Sequence, residues 1–521
     1  MGAKPFVIHP LLFGIYPIVF LYAHNVDALR VLSTLRPLAL TLLGVVILLL
    51  LLQSILRDRH KAGIICSSGF LLFFSYQHIY DFLQVVSVRH HVLLPGLGII
   101  SLFAIIMVIR TRRPLHLLTR VSNVVALFLV IMAFFQIAQF NIGLTSDHFL
   151  AQLRREDQRV KVEGTGPPTE ALPDIYYIIL DAYSRADVLR DIYRFDNGPF
   201  LDFLRQKGFY VAGRSTSNYP HTLVSIASSL NYAYINSLSD IVGEQSGNRS
   251  PLKAMIEDHR IYRFLRRFNY TFIVFASGSE TTEHNRNADV VLRPLRAITE
   301  FERILVYGTA FPAIQDFLVR SHVLDKGTLG VWNFQEWRQR IIFIFEGLKN
   351  VPQTDSPRFV FAHIVDPHPP FVFNREGGSV IREDTSEAYV DEVLFLNNKV
   401  RDVVTEILSK ADREPIIILQ GDHGFVPPDR SFPQRVSLQS QFSILNAYYL
   451  PDGGQDRLYE SISPVNSFRI ILNHYFGTNY ELLPDENYYS TVRHPYRLTN
   501  VTHEVKDGKD DQRNKLQGLT R

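Results

Sequence analysis

The sequence predicts an α/β fold class in two parts: an N-terminal bundle of about five transmembrane helices, then an α/β domain with a mainly parallel sheet. Charge-free windows long enough to cross a bilayer fill the first 146 residues. Further on, short apolar runs alternate with helix-like stretches, which is typical of a parallel sheet covered on both faces. The balance of basic and acidic residues also differs between the two parts. The first 150 residues hold 11 Lys or Arg, four Asp and no Glu, and the rest hold 43 basic and 47 acidic residues.

Composition excludes several classes of protein. The net charge of +3 gives no indication of a nucleic-acid partner. Hydrophobic residues make up 46% of the chain, which excludes a disordered protein. The single cysteine, Cys66, excludes a disulfide framework and a cysteine-based metal cluster.

The N-terminal domain, residues 1–146, is predicted to cross the membrane. Its windows without Asp, Glu, Lys or Arg are 5–26, 37–56, 62–80, 90–109 and 121–146. The second is the strongest, and the first and third are weaker because they contain His, Pro or Tyr. With the N-terminus inside, the inner loops carry eight Lys or Arg against three outside. Five crossings would then place everything after residue 146 outside the cytoplasm; if the first window does not span, this orientation reverses.

A polar linker, 147–173, ends in GTGPPTEALPD and leads to the α/β domain, 174–495, which is followed by a polar tail, 496–521. Five short runs rich in β-branched or aromatic residues predict buried strands. They are IYYIIL (175–180), FIVFAS (272–277), FVFAHIV (359–365), PIIILQ (415–420) and FSILNAYYL (442–450). Residues 251–268 and 386–410 predict helices between strands.

The residues that follow three of these strands carry candidate metal ligands. Asp181 follows the first run, His363 and His368 lie at the end of FVFAHIVDPHPPF, and Asp422 and His423 follow PIIILQ in GDHG. Ligands of an open α/β sheet bind outside the carboxyl ends of its strands, so these groups should meet at one edge. Carboxylate oxygen with imidazole nitrogen suits a divalent ion such as Zn or Mn. Any one of these residues alone would be read as a loop Asp or a structural His.

Thr222 is the candidate nucleophile. It begins a helix-like stretch, TLVSIASSL, and a helix N-terminus stabilises an anion. A metal-bound hydroxyl at that point can ionise and attack phosphorus. The alternative is that Thr222 only caps the helix. Ser225 and Ser228 would recur on about the same helix face and are fallback candidates.

The order ILDAYSR, SNYPHTLVSIASS, AHIVDPHPPF and LQGDHG over residues 174–480 resembles the sulfatase-like branch of the alkaline phosphatase superfamily. Helices before such a domain are similar to lipoteichoic acid synthases and phosphoethanolamine transferases, which are membrane-anchored. The resemblance implies an alkaline-phosphatase-like α/β domain on the outer side of a bacterial inner membrane. It implies one divalent metal ion, Zn or Mn first and Ca or Mg as alternatives, bound by Asp181, Thr222, Asp422 and His423. It also implies that His363 and His368 bind substrate and transfer protons.

Three departures from the family patterns narrow the resemblance. The transferases usually have Glu at the position of Asp181, and sulfatases usually have a paired Asp-Asp where this chain has Asp181-Ala182. The Cys/Ser-x-Pro-x-Arg signature of formylglycine sulfatases is absent near 215–230. The stretch after GDHG, FVPPDRSFPQRVSLQSQ, has no His for a second metal.

These observations lead to one expected activity and two alternatives. The expected activity transfers a phospho-containing head group, phosphoethanolamine or glycerol phosphate, from a phospholipid donor. The acceptor is an envelope glycan or lipid, and the group passes through phospho-Thr222. The first alternative is a hydrolase of sulfuric or phosphoric esters in the cell envelope. The second is an inactive scaffold that binds an envelope glycan or a partner protein, against which the presence of all four candidate ligands argues.

Overall fold

The computed structural model describes residues 5–27, 29–83, 88–142, 172–294, 298–321, 323, 332–380, 385–426 and 434–506. Nearly all of the predicted linker and the tail beyond residue 506 lie outside these ranges, so both stay predictions. The chain divides into two compact units. The first comprises residues 1–145 and 298–333, and the second comprises residues 146–297 and 334–521. The segment 298–333 thus belongs with the N-terminal helices, whereas the sequence had placed it within the α/β domain.

The elements follow each other in the order that the two-part pattern predicts. The helices of the N-terminal part are α1 (His9–His24), α2 (Leu35–Leu56), α3 (Arg59–Leu83), α4 (His90–Arg110) and α5 (His116–Ile142). The later helices are α6 (Ala186–Asp191), α7 (Gly198–Gln206), α8 (Thr222–Leu230), α9 (Leu238–Val242), α10 (Ser250–Glu257), α11 (Arg260–Arg266), α12 (Glu300–Tyr307), α13 (Phe311–Arg320), α14 (Trp332–Lys349), α15 (Ser386–Lys410), α16 (Gln434–Phe442), α17 (Pro464–Phe476) and α18 (Thr502–Lys506). The strands are β1 (Ile175–Leu180), β2 (Tyr210–Val211), β3 (Thr271–Phe275), β4 (Val290–Leu292), β5 (Arg358–Ile364), β6 (Ile416–Gly421), β7 (Asn446–Tyr449), β8 (Tyr488–Tyr489) and β9 (Thr499–Asn500).

Four helices of the first unit, α2 to α5, are long and apolar enough to cross a membrane. The first predicted window forms α1, which has 16 residues and is shorter than the roughly 20 that a spanning helix needs. Polar contacts nevertheless fix α1 within the bundle. Nδ1 of its first residue, His9, is 2.6 Å from Ser67 Oγ of α3. The backbone N–H of His9 donates to the Asn123 side chain of α5. The predicted bundle is confirmed, with four such helices instead of about five.

The second unit is built around a seven-stranded sheet in the order β2-β7-β6-β1-β5-β3-β4. The pairings among β6, β1, β5, β3 and β4 are parallel, and β7 pairs antiparallel with both β6 and β2. The mainly parallel sheet is therefore confirmed. Strand β1 is buried along its whole length because helices cover both faces. Residues Ile178 and Leu180 pack into one apolar layer, and Tyr177 and Ile179 pack into the other.

Several predicted elements differ from the observed ones at their ends. The run 175–180 and the helix 386–410 match β1 and α15. Within the predicted last strand, 442–450, residues 446–449 form β7, Phe442 ends α16, and Ser443 and Ile444 form isolated bridges. The short strands β2 and β4 were not predicted, since two or three residues carry too little pattern.

The predicted helix 251–268 is two helices, α10 and α11, and His259 separates them. Its backbone is extended, with φ −82° and ψ 157°, and its Nδ1 accepts the backbone N–H of Tyr262 at 2.9 Å. Burial lowers the pKa of His259 to about 3, so the ring stays neutral and Nδ1 can accept. The imidazole therefore serves as the N-cap of α11, in place of the usual Ser, Thr, Asp or Asn.

We expect His259→Ala to lower the free energy of unfolding by about 1 kcal/mol or more, since it removes both this cap and a buried ring. His259→Asn, which keeps a cap acceptor, should be less destabilising. Thermal unfolding of the full-length protein in detergent measures both variants. Equal destabilisation by the two would contradict the capping role.

Candidate active site at the carboxyl edge of the sheet

The candidate metal ligands meet where three central strands end. Leu180, the last residue of β1, is level with Ile364 of β5 on one side and with Gly421 of β6 on the other. The next residues, Asp181 and Asp422, are therefore neighbours across the sheet edge.

The three side chains of Asp181, Asp422 and His423 form a compact group. One ligand atom from each lies within 4.8 Å of the others. Nε2 of His423 is 3.4 Å from Oδ1 of Asp181 and 3.6 Å from Oδ2 of Asp422. The predicted ligands are thus brought together around a single point.

This group fits a divalent cation. Asp181 Oδ1 and Asp422 Oδ2 are buried, and neither accepts a hydrogen bond from the described residues. Buried carboxylate oxygens are normally satisfied, so two that face the same imidazole nitrogen indicate a missing positive charge. Nδ1–H of His423 donates to the Gly424 carbonyl at 3.0 Å, which leaves Nε2 as a lone-pair donor. Two carboxylate oxygens and one imidazole nitrogen are a donor set for Zn or Mn.

The backbone around Asp181 holds the second carboxylate in place. Ala182 has φ +63°, a left-handed conformation that is unusual for alanine. Its N–H donates to Asp422 Oδ1 at 3.1 Å. Its carbonyl accepts from the Tyr389 hydroxyl at 2.8 Å, and that hydroxyl in turn accepts the N–H of Ser184 at 3.0 Å. The strained turn after β1 is thus fixed by hydrogen bonds, and it orients one Asp422 oxygen.

His363 lies behind the candidate metal ligands. It is fully buried, and its Nε2 donates to Asp181 Oδ2 at 3.2 Å. Its Nδ1 is 2.7 Å from the Thr282 hydroxyl. With both ring nitrogens engaged by side chains, this geometry favours orienting the Asp181 carboxylate over contact with substrate. The predicted role of His363 in substrate binding has no support from this placement.

Sequence reasoning missed Thr282. It follows β3, which ends at the same sheet edge, in the stretch SGSETTEH. The polar residues after that strand could have been searched in the same way as those after the other three. Two further contacts stabilise this loop. Glu283 Oε2 accepts the Gly278 N–H at 2.6 Å and pairs with the buried Arg340 at 2.9 Å.

Thr222 is the first residue of α8, and the extended His221 precedes it as the N-cap residue. The interpretation of Thr222 as the cap is therefore wrong. Its Oγ1 lies 3.3 Å from His423 Nε2. The two fallback hydroxyls are committed elsewhere, because Ser225 donates to the Asp422 carbonyl at 2.7 Å and Ser228 donates to the Ala233 carbonyl at 2.7 Å. Among the three hydroxyls, Thr222 alone lies against a ligand atom of the candidate metal site.

His368 stands in the loop after β5 and is partly exposed. Its Nδ1–H donates to the Pro369 carbonyl at 2.6 Å, and its ring centroid is 6.3 Å from that of His423. Because a carbonyl only accepts, Nε2 is left to exchange a proton.

Burial raises the pKa of the Asp181 carboxyl, but His368, His363 and His423 outweigh burial and hold that pKa below its usual value. The carboxylate is therefore ionised and suited to a cation.

A buried pair of acids supports the loop that carries His368. Glu392 Oε1 accepts the backbone N–H groups of Val372 and Phe373, the latter at 2.7 Å. Burial raises the pKa of Glu392 to about 7. Burial and the charge of Glu392 raise the pKa of Asp366 well above its usual value. When ionised, each of these two carboxyl groups therefore disfavours the ionisation of the other beside this loop.

The comparisons with known proteins give only distant similarities. No protein-family description matches the chain, and no curated protein sequence matches it. Among solved structures, the integral membrane lipooligosaccharide phosphoethanolamine transferase A (EptA) from Neisseria meningitidis is 12% identical with a TM-score of 0.38, over 89% of this chain and 94% of that one. The C-terminal periplasmic domain of EcEptC from Escherichia coli, in complex with Zn, is 13% identical with a TM-score of 0.40, over 64% and 93%. The phosphonate monoester hydrolase of Agrobacterium radiobacter is 15% identical with a TM-score of 0.39, over 61% and 80%.

These solved structures include phosphoethanolamine transferases and a hydrolase. The order of the sequence motifs in this chain also resembles that of phosphoethanolamine transferases. At such low identity and TM-score, we base the function on the side chains of this chain alone.

We expect Asp422→Asn to lower divalent-metal affinity by roughly 10–100-fold or more, because it removes a negatively charged ligand that the ion needs. The full-length protein would be dialysed against limiting Zn²⁺ or Mn²⁺, and the bound metal measured by mass spectrometry. Asp187→Asn is the matched control, since Asp187 pairs with Arg185 outside the ligand group. Wild-type metal content in the Asp422 variant would place the metal elsewhere.

The Glu392 pair predicts a pH-dependent stability. A carboxyl whose pKa rises on folding binds its proton more tightly in the folded state, so its stabilising effect is present at low pH. That effect is lost as pH rises from the ordinary value of 4.5 through about 7. Glu392→Gln keeps an oxygen for the two N–H groups but cannot ionise. The melting temperature of the variant relative to wild type should therefore rise between about pH 5 and about pH 8. Parallel curves would exclude this titration.

Proposed function

We propose that this chain is a membrane-anchored, metal-dependent enzyme that transfers a phospho-containing head group from a phospholipid to a hydroxyl of an envelope glycan or lipid. The group passes through a phosphoester on Thr222. One observation carries the proposal. Thr222 is the first residue of a helix, and its hydroxyl lies 3.3 Å from His423 Nε2. The same His423 atom faces two buried carboxylate oxygens that accept no hydrogen bond from the described residues. A nucleophile, a cation site and a helix N-terminus thus converge.

Three residues would hold the cation: Asp181, Asp422 and His423. A divalent ion there neutralises phosphate charge and lowers the pKa of a neighbouring hydroxyl. The free N–H groups of the first turn of α8 add positive potential where the phosphate would lie. His363, held by Thr282, keeps the Asp181 carboxylate in its orientation.

The chemistry has two half-reactions at phosphorus. Thr222 Oγ1 attacks the phosphodiester, a bond from Oγ1 to phosphorus forms, and the bond to the diacylglycerol oxygen breaks. Thr222 enters this step ionised, having lost its proton to solvent, and His368, protonated on Nε2, would give the proton from Nε2 to the leaving diacylglycerol oxygen. In the second half, the acceptor hydroxyl attacks the phosphoester and His368 takes its proton, which restores free Thr222.

The proposed location follows from the helices and their loops. Four helices long and apolar enough to span favour a cell membrane protein. The eight-to-three excess of positive charge on one side, counted with α1 as a fifth crossing, gives the orientation. We place the second unit on the outer side, in the periplasm of a bacterium with two membranes. Phospholipid would then supply the head group from the same membrane.

We expect Thr222→Ala to abolish transfer, by on the order of a thousandfold or more, and to retain the metal, because the three ligands remain. The full-length protein in vesicles would be incubated with head-group-labelled phospholipid. The wild type should carry label on the peptide containing Thr222, and the variant should carry none. Thr222→Ser should retain part of the activity, since it keeps the hydroxyl.

Ser228→Ala is the control, because the Ser228 hydroxyl donates to the Ala233 carbonyl and not to a candidate metal ligand. Near-normal turnover by Thr222→Ala would sink the covalent route. Label released by wild type as a free phospho compound, with none on an acceptor, would establish the alternative hydrolase.

A further inference from the structure

Two short helices from the middle of the chain, α12 and α13, pack on the N-terminal bundle. Phe301 of α12 is fully buried against Ile18 and Leu29. Ala310 and Ala313, before and within α13, are buried in a cluster with Tyr76 of α3 and Leu93 of α4. One side of each helix is therefore buried against helices of the N-terminal bundle.

All of these contacts lie at one end of the bundle. Glu302 pairs with Arg36 in the first turn of α2, and the Ala310 N–H donates to the Phe73 carbonyl in the second half of α3 at 2.8 Å. This is the end at which α1 leads to α2 and α3 leads to α4. The charge distribution predicts that it is the outer end.

Beside these buried positions, α12 and α13 carry apolar side chains that are partly exposed. Ile304 and Tyr307 are 37% and 41% exposed and lie one turn apart on α12, and Ile314 and Phe317 are 36% and 41% exposed and lie one turn apart on α13. Polar residues, including Asp316, occupy other positions around α13.

Other residues at the same end of the unit also expose apolar side chains. Leu32 and Leu35 are 69% and 55% exposed, and several α2 leucines beyond them are exposed as well, Leu50 at 61%. If α2 spans a membrane, lipid covers these exposed residues. Exposed apolar side chains at the end of a membrane bundle have the lipid interface as their natural partner.

We propose that α12 and α13 lie in the interfacial layer of the outer leaflet, with Ile304, Tyr307, Ile314 and Phe317 in contact with phospholipid. The first unit would then bind the bilayer through a segment that lies between two stretches of the second unit in the sequence. The proposal rests on the membrane location proposed above and is independent of the chemistry at Thr222.

The test uses nitroxide labels on the full-length protein in vesicles of phosphatidylethanolamine and phosphatidylglycerol. Cys66→Ala removes the single cysteine, and a label is attached in turn through Ile304→Cys and Phe317→Cys. Leu50→Cys reports the bilayer interior, and Asp316→Cys, on the polar side of α13, is the matched control. Each label is exposed to oxygen, which concentrates in lipid, and to a water-soluble nickel chelate.

We expect the labels at 304 and 317 to respond several-fold more to oxygen than to the chelate, as at position 50, and the label at 316 to show the reverse. Labels at 304 and 317 that follow 316 while 50 remains in lipid would overturn the interfacial proposal alone. Labels shielded from both reagents would also overturn it, because protein would then cover the surface. A water-accessible label at 50 would overturn the membrane location together with this proposal, whatever the activity of Thr222→Ala.

Discussion

The parallel register of β1 with its two neighbours is the constraint on which the site depends. Leu180 is level with Ile364 and with Gly421, so the residues that follow these strands emerge at the same height. A shift of one residue in either pairing would turn Asp181 or Asp422 to the other face of the sheet. The register is strongly specified because β1 is buried on both faces, and any slip would misplace two apolar layers at once. Packing over the whole sheet therefore sets distances of a few ångströms at its edge.

The candidate metal ligands depend on a further set of groups that hold them. His363 and the Ala182 N–H each fix one carboxylate oxygen, and the other oxygen of each carboxylate faces His423 Nε2. The Gly424 carbonyl sets the tautomer of His423. Without a cation, the two carboxylates repel each other at close range, which disfavours the empty site. Metal binding and the stability of this edge are accordingly coupled.

The sequence predicted what is local and missed what depends on distant contacts. Asp181, Asp422 and His423 were found because each directly follows a strand whose composition is unmistakable, and parallel strands end together. Thr222 was found because it begins a helix. Thr282 lies 81 residues from His363, and nothing in the stretch around either residue indicates their contact. Similarly, Glu392 lies inside a helix with an ordinary charged pattern, and only the fold brings it to the loop of His368. The packing of segment 298–333 on the N-terminal helices was also beyond sequence patterns, because its short helices resemble those of any α/β domain.

The inserted segment changes how the two units are joined. Because residues 298–333 belong to the first unit, the chain passes between the units three times, where a simple anchor and domain would need one passage. A single proteolytic cut between residues 146 and 173 would therefore not separate the units, since the two later passages would still connect them. The same connectivity bears on a protein expressed from residue 172 onward. Such a fragment would carry α12 and α13 without the bundle that buries Phe301 and Ala313, and these newly exposed faces would promote aggregation.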